Sequence, residues 1–210
     1  MQLRPDEGNW RTVYKLMIGA IVPRPIGWIS TVDSSGRPNL APFSFFNAVC
    51  SNPAHLLFCP SVRSTDLGQK DTLHNVRATG EFVVNIVTED LAEAMNTTAT
   101  EFPRETNEFD VAGLTPIPSD SVRAPRVAES PINFECKVAQ IIEIGNQPGG
   151  GSIVIGKVLM IHVAEDVLFG GDKIDPLKLH PIGRMAGTTY THVNDLFEMV
   201  RAPSQIRPKD

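Results

Sequence analysis

The sequence predicts a mostly β protein, an antiparallel barrel or sandwich with helices at its periphery. Two observations lead to this prediction. Runs of β-branched and aromatic residues of strand length recur along the 210-residue chain, and turns rich in Gly, Pro, Asn and Asp separate them. Few segments have the apolar spacing of a helix. Strands therefore outnumber helices, and short turns between them favour antiparallel pairing.

The first two strands form a predicted hairpin between Pro23 and Asn47, with its turn at 33–36. Pro42 removes a hydrogen-bond donor from the second strand, so we expect an edge or a bulge there. Small polar residues lie beside aromatic ones in this stretch: Ser30, Thr31, Ser44 and Asn47 with Trp28, Phe43, Phe45 and Phe46. This mixture suits a flat, partly polar ligand. Trp28 can stack on such a ligand or pack in the core, and we favour the core.

The other elements follow in order. Strands are predicted at 45–51, 55–59, 81–87, 132–145 and 152–167. Helices are predicted at 10–17, 66–78 and 88–96, the last with Thr88 as its N-cap. Residues 97–130 are irregular and too long for a simple connection, so we expect them to cover a site or contact a partner subunit. The polar C-terminal segment is predicted to fray.

Composition limits the class of protein. A hydrophobic content of 41% with no linker-like stretch predicts one domain over residues 1–210. The net charge of −5 argues against a nucleic-acid partner. No apolar run approaches the roughly 20 residues that span a bilayer, and the N-terminus lacks a signal-peptide core, so we expect a cytoplasmic protein with no membrane contact. Widely spaced Cys50, Cys59 and Cys136 are predicted to be buried free thiols.

A polar cluster surrounds the start of the second predicted helix: Ser61, Arg63, Lys70, Asp71, Thr72 and Asn75. A helix start presents unpaired backbone N–H groups and a partial positive charge. Together with a guanidinium, an ammonium and a hydroxyl, it makes a pocket suited to a phosphate. The alternative is a solvated helix face that is capped by Ser64, Thr65 or Asp66.

Other chemical patterns are weak. The five histidines do not occur at metal-ligand spacing, and His162 is interpreted as a sheet residue, so no metal site is predicted. The sequence contains no GxSxG, P-loop, HExxH or GxGxxG motif, and no serine has an identifiable base. The three glycines at 149–151 are interpreted as a hairpin turn.

Two stretches of the chain, taken together, are similar to a known family. They are PRPIGWISTVDSSGRPNLAPFSFFNAVCSNPAHLLFCPS at 23–61 and KDTLHNVRATGEFVVNI at 70–86. The combination resembles the flavin reductase-like, FMN-binding split-barrel family, in particular its flavoredoxin-type branch, over a core of about residues 18–190. The resemblance implies a six-stranded antiparallel Greek-key split barrel with peripheral helices. It also implies a homodimer with flavin near the interface.

The resemblance further implies which residues hold the cofactor, FMN or alternatively FAD. Ser30 and Thr31 would supply backbone and hydroxyl contacts. The ring and ribityl chain would lie along Ala41, Pro42, Phe43, Ser44 and Asn47. The phosphate would contact Ser61, Arg63, Lys70 and Thr72. Asp71 would order the loop or bond Lys70. Arg184 and Tyr190, within HPIGRMAGTTY, would reach the flavin from the same chain or from the partner chain.

The function implied by the resemblance is that of an NAD(P)H-dependent flavin reductase. Hydride would pass from NADH or NADPH to flavin, and then to free flavin, a partner oxygenase or another acceptor. The flavin carries this chemistry, so no catalytic side chain is assigned. The same fold also permits an FMN-binding electron-transfer or carrier protein without NAD(P)H activity. The intact Arg63, Lys70 and Thr72 argue against a structural protein with a degenerate site.

Overall fold

A computed structural model describes residues 1–63 and 65–206. Its main feature is a seven-stranded sheet in which all neighbours pair antiparallel, in the order β2-β1-β5-β8-β9-β4-β3. Three short pairs, β6-β7, β10-β11 and β12-β13, lie outside it. The strands are β1 (Gly27–Val32), β2 (Pro38–Phe43), β3 (Phe46–Ser51), β4 (Ala54–Phe58), β5 (Glu81–Ile86), β6 (Pro116–Ile117), β7 (Arg126–Val127), β8 (Ile132–Glu143), β9 (Ser152–Val163), β10 (Leu168–Phe169), β11 (Lys173–Ile174), β12 (Ile182–Arg184) and β13 (Tyr190–His192).

The predicted class, mostly β with a large antiparallel sheet and peripheral helices, is confirmed. The sheet has seven strands where the family resemblance implies six, and all seven are those expected from the residue patterns. β2 and β3 form opposite edges, yet only Ser44 and Phe45 connect them. Because three peptide steps span at most about 11 Å, the sheet must curl until its edges lie close together. The barrel is thus split beside Ser44, and Pro42 lies on an edge strand as predicted.

The helices surround this sheet. They are α1 (Trp10–Ala20), α2 (Asp71–Thr79), α3 (Ala92–Thr97), α4 (Glu108–Ala112) and α5 (Pro176–Leu179). Short 3-10 turns occur at Pro5–Glu7, Glu89–Leu91 and Glu165–Val167. Within the described residues, no helix combines the length and apolar character needed to cross a membrane.

Two predicted helix boundaries were wrong. α2 begins at Asp71 instead of residue 66, because the Asp66 carboxylate accepts from Gly68 N at 2.8 Å and Leu67 has a φ of 60°, which a right-handed helix excludes. Thr65 and Asp66 are therefore not caps of α2, and Ser64 lies outside the described residues. α1 continues to Ala20, beyond the predicted residue 17. Thr88 is the N-cap residue of the 3-10 turn Glu89–Leu91 that leads into α3, as predicted, but its side chain makes no capping bond.

Two apolar clusters cover the two faces of β1. One contains Trp28, which is fully buried and donates from Nε1 to Thr98 Oγ1 at 2.9 Å, so the prediction that Trp28 packs in the core is confirmed. The other contains Ile29 and the ring of Phe58, which lies 5.1 Å from the rings of both Phe43 and Phe82. The first cluster packs α3 and α4 against the sheet, and the second fills the barrel.

The cysteine prediction is correct in part. Cys50, Cys59 and Cys136 are all free thiols, and Cys136 is buried. Cys50 is exposed, contrary to prediction, because β3 is an edge strand and the described part of the chain leaves its outer face uncovered.

Candidate functional site

A groove follows the split of the barrel and consists of three adjoining pockets. The first, here the α2 end, holds about 50 Å³ beside Ala41, Arg63, Lys70, Asp71 and Thr72. The second, the arginine end, holds about 220 Å³ beside Arg24, Ser44, Arg184 and Tyr190. The third, the α1 cleft, holds about 840 Å³ beside Trp10, Arg11, Lys15, Phe45 and Ser61. The α2 end and the arginine end share Pro42 and Ala99. The α2 end and the α1 cleft share Arg63, Lys70 and Glu101. The arginine end and the α1 cleft share Tyr14, Ile18 and Gly187. The three pockets are therefore parts of one groove.

The start of α2 is open to an anion. Its N-cap residue, Lys70, makes no side-chain capping bond, whereas Asn9, Asn107 and Asp175 cap α1, α4 and α5. The first N–H groups of a helix have no partner inside it, so an uncapped start needs another acceptor. The Thr72 hydroxyl lies in this first turn and accepts from Asn39 Nδ2 at 3.0 Å. Backbone and side-chain donors are thus concentrated at one point of the groove.

Carboxylates partly neutralise the cations at the α2 end. Arg63 pairs with Asp66 at 2.9 Å and with Asp71 at 3.5 Å, and Lys70 lies 3.6 Å from Glu101. Asp71 also lies 3.8 Å from Arg104, so it orders the loop through arginines and does not pair with Lys70. An anion that binds here must compete with these carboxylates for the same cations.

A buried carboxyl also faces the α2 end. Glu108, at the start of α4, is buried and accepts from Leu40 N at 3.2 Å, which satisfies a donor near the edge of the sheet. Burial raises the pKa of Glu108 above its ordinary value, and the nearby Asp71 adds to the rise, while backbone hydrogen bonds oppose it.

The arginine end has a different construction. Arg24 is buried and joins three segments: Nη1 donates to Ile18 O at 2.8 Å, Nη2 to Met185 O at 2.9 Å, and Nε to Ser44 Oγ at 3.2 Å. Arg184 lies 4.3 Å above the Tyr190 ring. The structure therefore brings Arg184 and Tyr190 to the groove within the same chain, next to Pro42 and Ser44.

Four of the predicted residues do not present their side chains to the groove. Ser30 and Thr31 have no exposed surface; their hydroxyls bond to Pro125 O and to Asn75 Nδ2. The Phe43 ring is buried against Phe58. Asn47 is exposed on β3 and bonds to Ala48 N, and it lines none of the three pockets. The wall of the groove is formed instead by Ala41, Pro42 and Ser44.

Sequence reasoning missed several residues of the groove. Asn39, Thr98, Ala99, Thr100 and Phe102 line the α2 end, and Arg24 and Tyr14 line the arginine end. A signal existed for 98–102, because the irregular segment from residue 97 was expected to cover a site. Arg24 lies in the PRP motif, but its side-chain partners come from α1 and from residue 185, which no local pattern reveals.

A second polar cluster lies away from the groove. His162 Nε2 is 2.6 Å from Glu135 Oε1 and 3.8 Å from Asp120 Oδ2. The buried Glu135 also accepts from Asp120 N at 2.9 Å and from Ser121 N. Burial alone would raise the pKa of Glu135, but these hydrogen bonds lower it below its usual value. We interpret the cluster as the attachment of the loop between β6 and β7, which contains Asp120, to Glu135 on β8 and His162 on β9.

Comparison with known proteins identifies the class that this fold and groove define. The family model described as "Flavin reductase like domain" matches residues 18–180. The chain therefore belongs to the flavin reductase-like family, as the resemblance in the sequence predicted.

Individual relatives extend this result. A protein of Aquifex aeolicus is 43% identical over 90% of this chain and 94% of its own length. The crystal structure of nitrilotriacetate monooxygenase component B from Bacillus cereus has a TM-score of 0.89 and 35% identity, covering 95% of this chain and 98% of that one. The 2-nitrobenzoate 2-nitroreductase NbaA of Pseudomonas fluorescens has a TM-score of 0.85 and 26% identity, covering 99% of each chain. Flavoredoxin of Desulfovibrio vulgaris shares the fold, with a TM-score of 0.72 and 23% identity over 85% of this chain and 91% of that one.

Proposed function

We propose that the protein is an FMN-dependent NAD(P)H:flavin oxidoreductase, with the flavin in the groove at the split of the barrel. The observation that carries this proposal is the uncapped start of α2, which lies in one groove with Arg63, Lys70 and Thr72 at one end and with Pro42 and Ser44 further along. The donors match a phosphate, and the pocket beside Ser44 accepts the remainder of a flat ligand.

The residues present fit this cofactor. Arg63, Lys70, Thr72 and the first N–H groups of α2 would hold the phosphate, with Ser61 at the neighbouring wall. The small side chain of Ala41 and the ring of Pro42 leave room for a flat ring against β2. Ser30, Thr31, Phe43 and Asn47 act in this proposal through the fold rather than through contact with the flavin.

A bound flavin would supply the redox chemistry by accepting a hydride from NADH or NADPH. The task of this chain is to bind, to orient and to exclude water. Residues 98–102 form one side of the α2 end and so shield it from solvent. The α1 cleft adjoins both other pockets and has space for the nicotinamide donor, with Arg11 and Lys15 at its wall to attract an anionic dinucleotide.

The electron acceptor is proposed from similarity. The likeness to a monooxygenase component B, at 35% identity, supports a partner oxygenase that receives reduced flavin. The likeness to a nitroreductase at 26% identity supports direct reduction of a small aromatic acceptor as a second candidate. The cytoplasmic location stays a prediction.

We also propose the homodimer that the resemblance implies. Leu159, Met160 and Ile161 are consecutive on β9, where its register with β8 shifts, and they are 42%, 39% and 51% exposed. Val49 on the edge strand β3 is 49% exposed. Exposed apolar residues grouped on a surface are typical of a subunit interface. Sedimentation should give twice the 22.9 kDa chain mass, and Met160→Lys should shift it toward monomer. A monomeric parent protein would refute the dimer.

The main test is the absorbance spectrum of the purified protein titrated with FMN, before and after anaerobic NADH or NADPH. We expect saturable FMN binding, and bleaching of the flavin absorbance within the mixing time of a stopped-flow instrument for one of the two donors. Binding without rapid bleaching would replace the reductase by the alternative function, an electron-transfer or carrier protein. A protein that binds no FMN would refute both.

A further inference from the structure

The arginine end carries a positive charge that nothing in its own lining neutralises. Among its lining residues there is no Asp or Glu, whereas Asp71, Glu101 and Glu108 line the α2 end. Over the described ranges 1–63 and 65–206, neither Arg24 nor Arg184 forms an ion pair with a carboxylate. The two ends of the groove therefore differ in net charge although both contain cations.

Hydrogen bonds explain the position of Arg24 but not its charge. Arg24 is 5% exposed, and its guanidinium bonds to the carbonyl oxygens of Ile18, Ile21 and Met185 and to the Ser44 hydroxyl, all of which are uncharged. A buried charge without a counter-ion is expensive. Burial lowers the pKa of Arg24, Tyr14 opposes this and Arg184 adds to it, yet an arginine stays protonated in a protein. A ligand with a negative charge would offset the free-energy cost of burying the Arg24 charge.

The chemistry of the proposed cofactor supplies such a charge. A hydride carries two electrons and one proton, so its transfer from NAD(P)H, which would leave NAD(P)⁺, would give a neutral flavin ring one negative charge. A positive charge that is already fixed beside the ring stabilises this product without reorganisation. It does little for the neutral oxidised ring.

We infer that Arg24 stabilises the negative charge of the reduced flavin ring at the arginine end, and that its bond to Ser44 positions the edge of β2 against that ring. This inference rests on the proposed function, because it assumes that flavin occupies the groove. The α2 end then anchors the cofactor in both oxidation states, while the arginine end distinguishes between them.

The test is the ratio of the dissociation constants for oxidised and chemically reduced FMN. For Arg24→Gln we expect the preference for reduced FMN to fall at least tenfold, which corresponds to a midpoint potential lower by about 30 mV for a two-electron couple. Arg24→Lys keeps the charge and should retain most of the preference. The matched control is Arg37→Gln, an exposed turn arginine that pairs with Asp33 at 3.4 Å, and it should leave the ratio unchanged.

A second pair of variants keeps every bond of Arg24 and so does not depend on the folding of Arg24→Gln. Tyr14 is half-exposed on α1 and lines the arginine end. Tyr14→Glu places a carboxylate near Arg24, whereas Tyr14→Gln is its neutral counterpart. We expect only Tyr14→Glu to lower the preference for reduced FMN.

The outcomes separate the two proposals. Equal loss of affinity for both oxidation states in Arg24→Gln, or an unchanged ratio in Tyr14→Glu, overturns the inference and leaves Arg24 a structural anchor. Failure of the unaltered protein to bind oxidised FMN overturns the proposed function instead.

Discussion

The two ends of the groove hold their cations in opposite ways. At the α2 end Arg63 and Lys70 are shared with Asp66, Asp71 and Glu101, on loops that lie partly in solvent. At the arginine end Arg24 is buried, bonded to neutral acceptors and fixed by three segments of the chain. The first arrangement suits exchange of a carboxylate for a ligand phosphate. The second keeps a charge in place whether or not a ligand is bound.

The largest expected effect comes from removing the two cations of the α2 end. Replacing both Arg63 and Lys70 by Ala removes two charge-assisted contacts of roughly 1.5–3 kcal/mol each, so the dissociation constant for FMN should rise more than tenfold in fluorescence titration. Riboflavin, which has no phosphate, serves as the control and should bind the variant and the parent alike. Unchanged FMN affinity would reject the phosphate assignment.

Ionic strength should sharpen the same contrast. Salt screens exposed charges more than buried ones, and the proposed phosphate contacts lie at the more exposed end. Affinity for FMN should therefore fall several-fold between low and high salt, whereas affinity for riboflavin should change little. Parallel loss for both ligands would place the important charges elsewhere.

A smaller effect of opposite sign is expected for Asp66→Asn. The Asp66 carboxylate occupies Arg63 at 2.9 Å, so its neutral counterpart should free the guanidinium and tighten FMN binding a few-fold. Isothermal titration measures this directly, with Asp6→Asn, which lines none of the three pockets, as the control substitution. Weaker binding would show that the ion pair holds the loop in its binding conformation.

The smallest effect concerns stability and pH. Because burial raises the pKa of Glu108 in the folded state, the folded protein favours the protonated carboxyl. The stability that the protonated Glu108 contributes is therefore fully present below the unfolded pKa of 4.5, and it is lost as the pH rises through the folded pKa. Glu108→Gln should remove this pH dependence of the free energy of unfolding, which amounts to about 1.4 kcal/mol for each unit by which the folded and unfolded pKa differ. Urea unfolding from pH 4 to 7 tests it, and parallel curves for the two proteins would contradict it.

Much of the fold could be read from local patterns. The hairpin turn at 33–36, the edge position of Pro42 and the strands at 81–86 and 152–163 follow from turn residues and apolar runs. The start of α2 could not be predicted, because the competing loop uses a bond from Gly68 to Asp66 and a positive φ at Leu67. Such local exceptions depend on backbone geometry that residue type does not specify.

The residues of the groove can be separated in the same way, into those that the sequence indicates and those that it does not. Arg63, Lys70 and Thr72 lie within ten residues, so the sequence alone indicated that these three belong together and, through the family resemblance, that the ligand is a flavin. The burial of Ser30 and Thr31, the charge at Arg24 and the pairing of His162 with Glu135 were decided only by the tertiary structure. Each of these features depends on segments that are distant in the chain. Their packing decides which side chains are exposed to solvent and which charged groups have a partner. Short-range spacing encodes which groups are available, and long-range packing decides which of them meet a ligand.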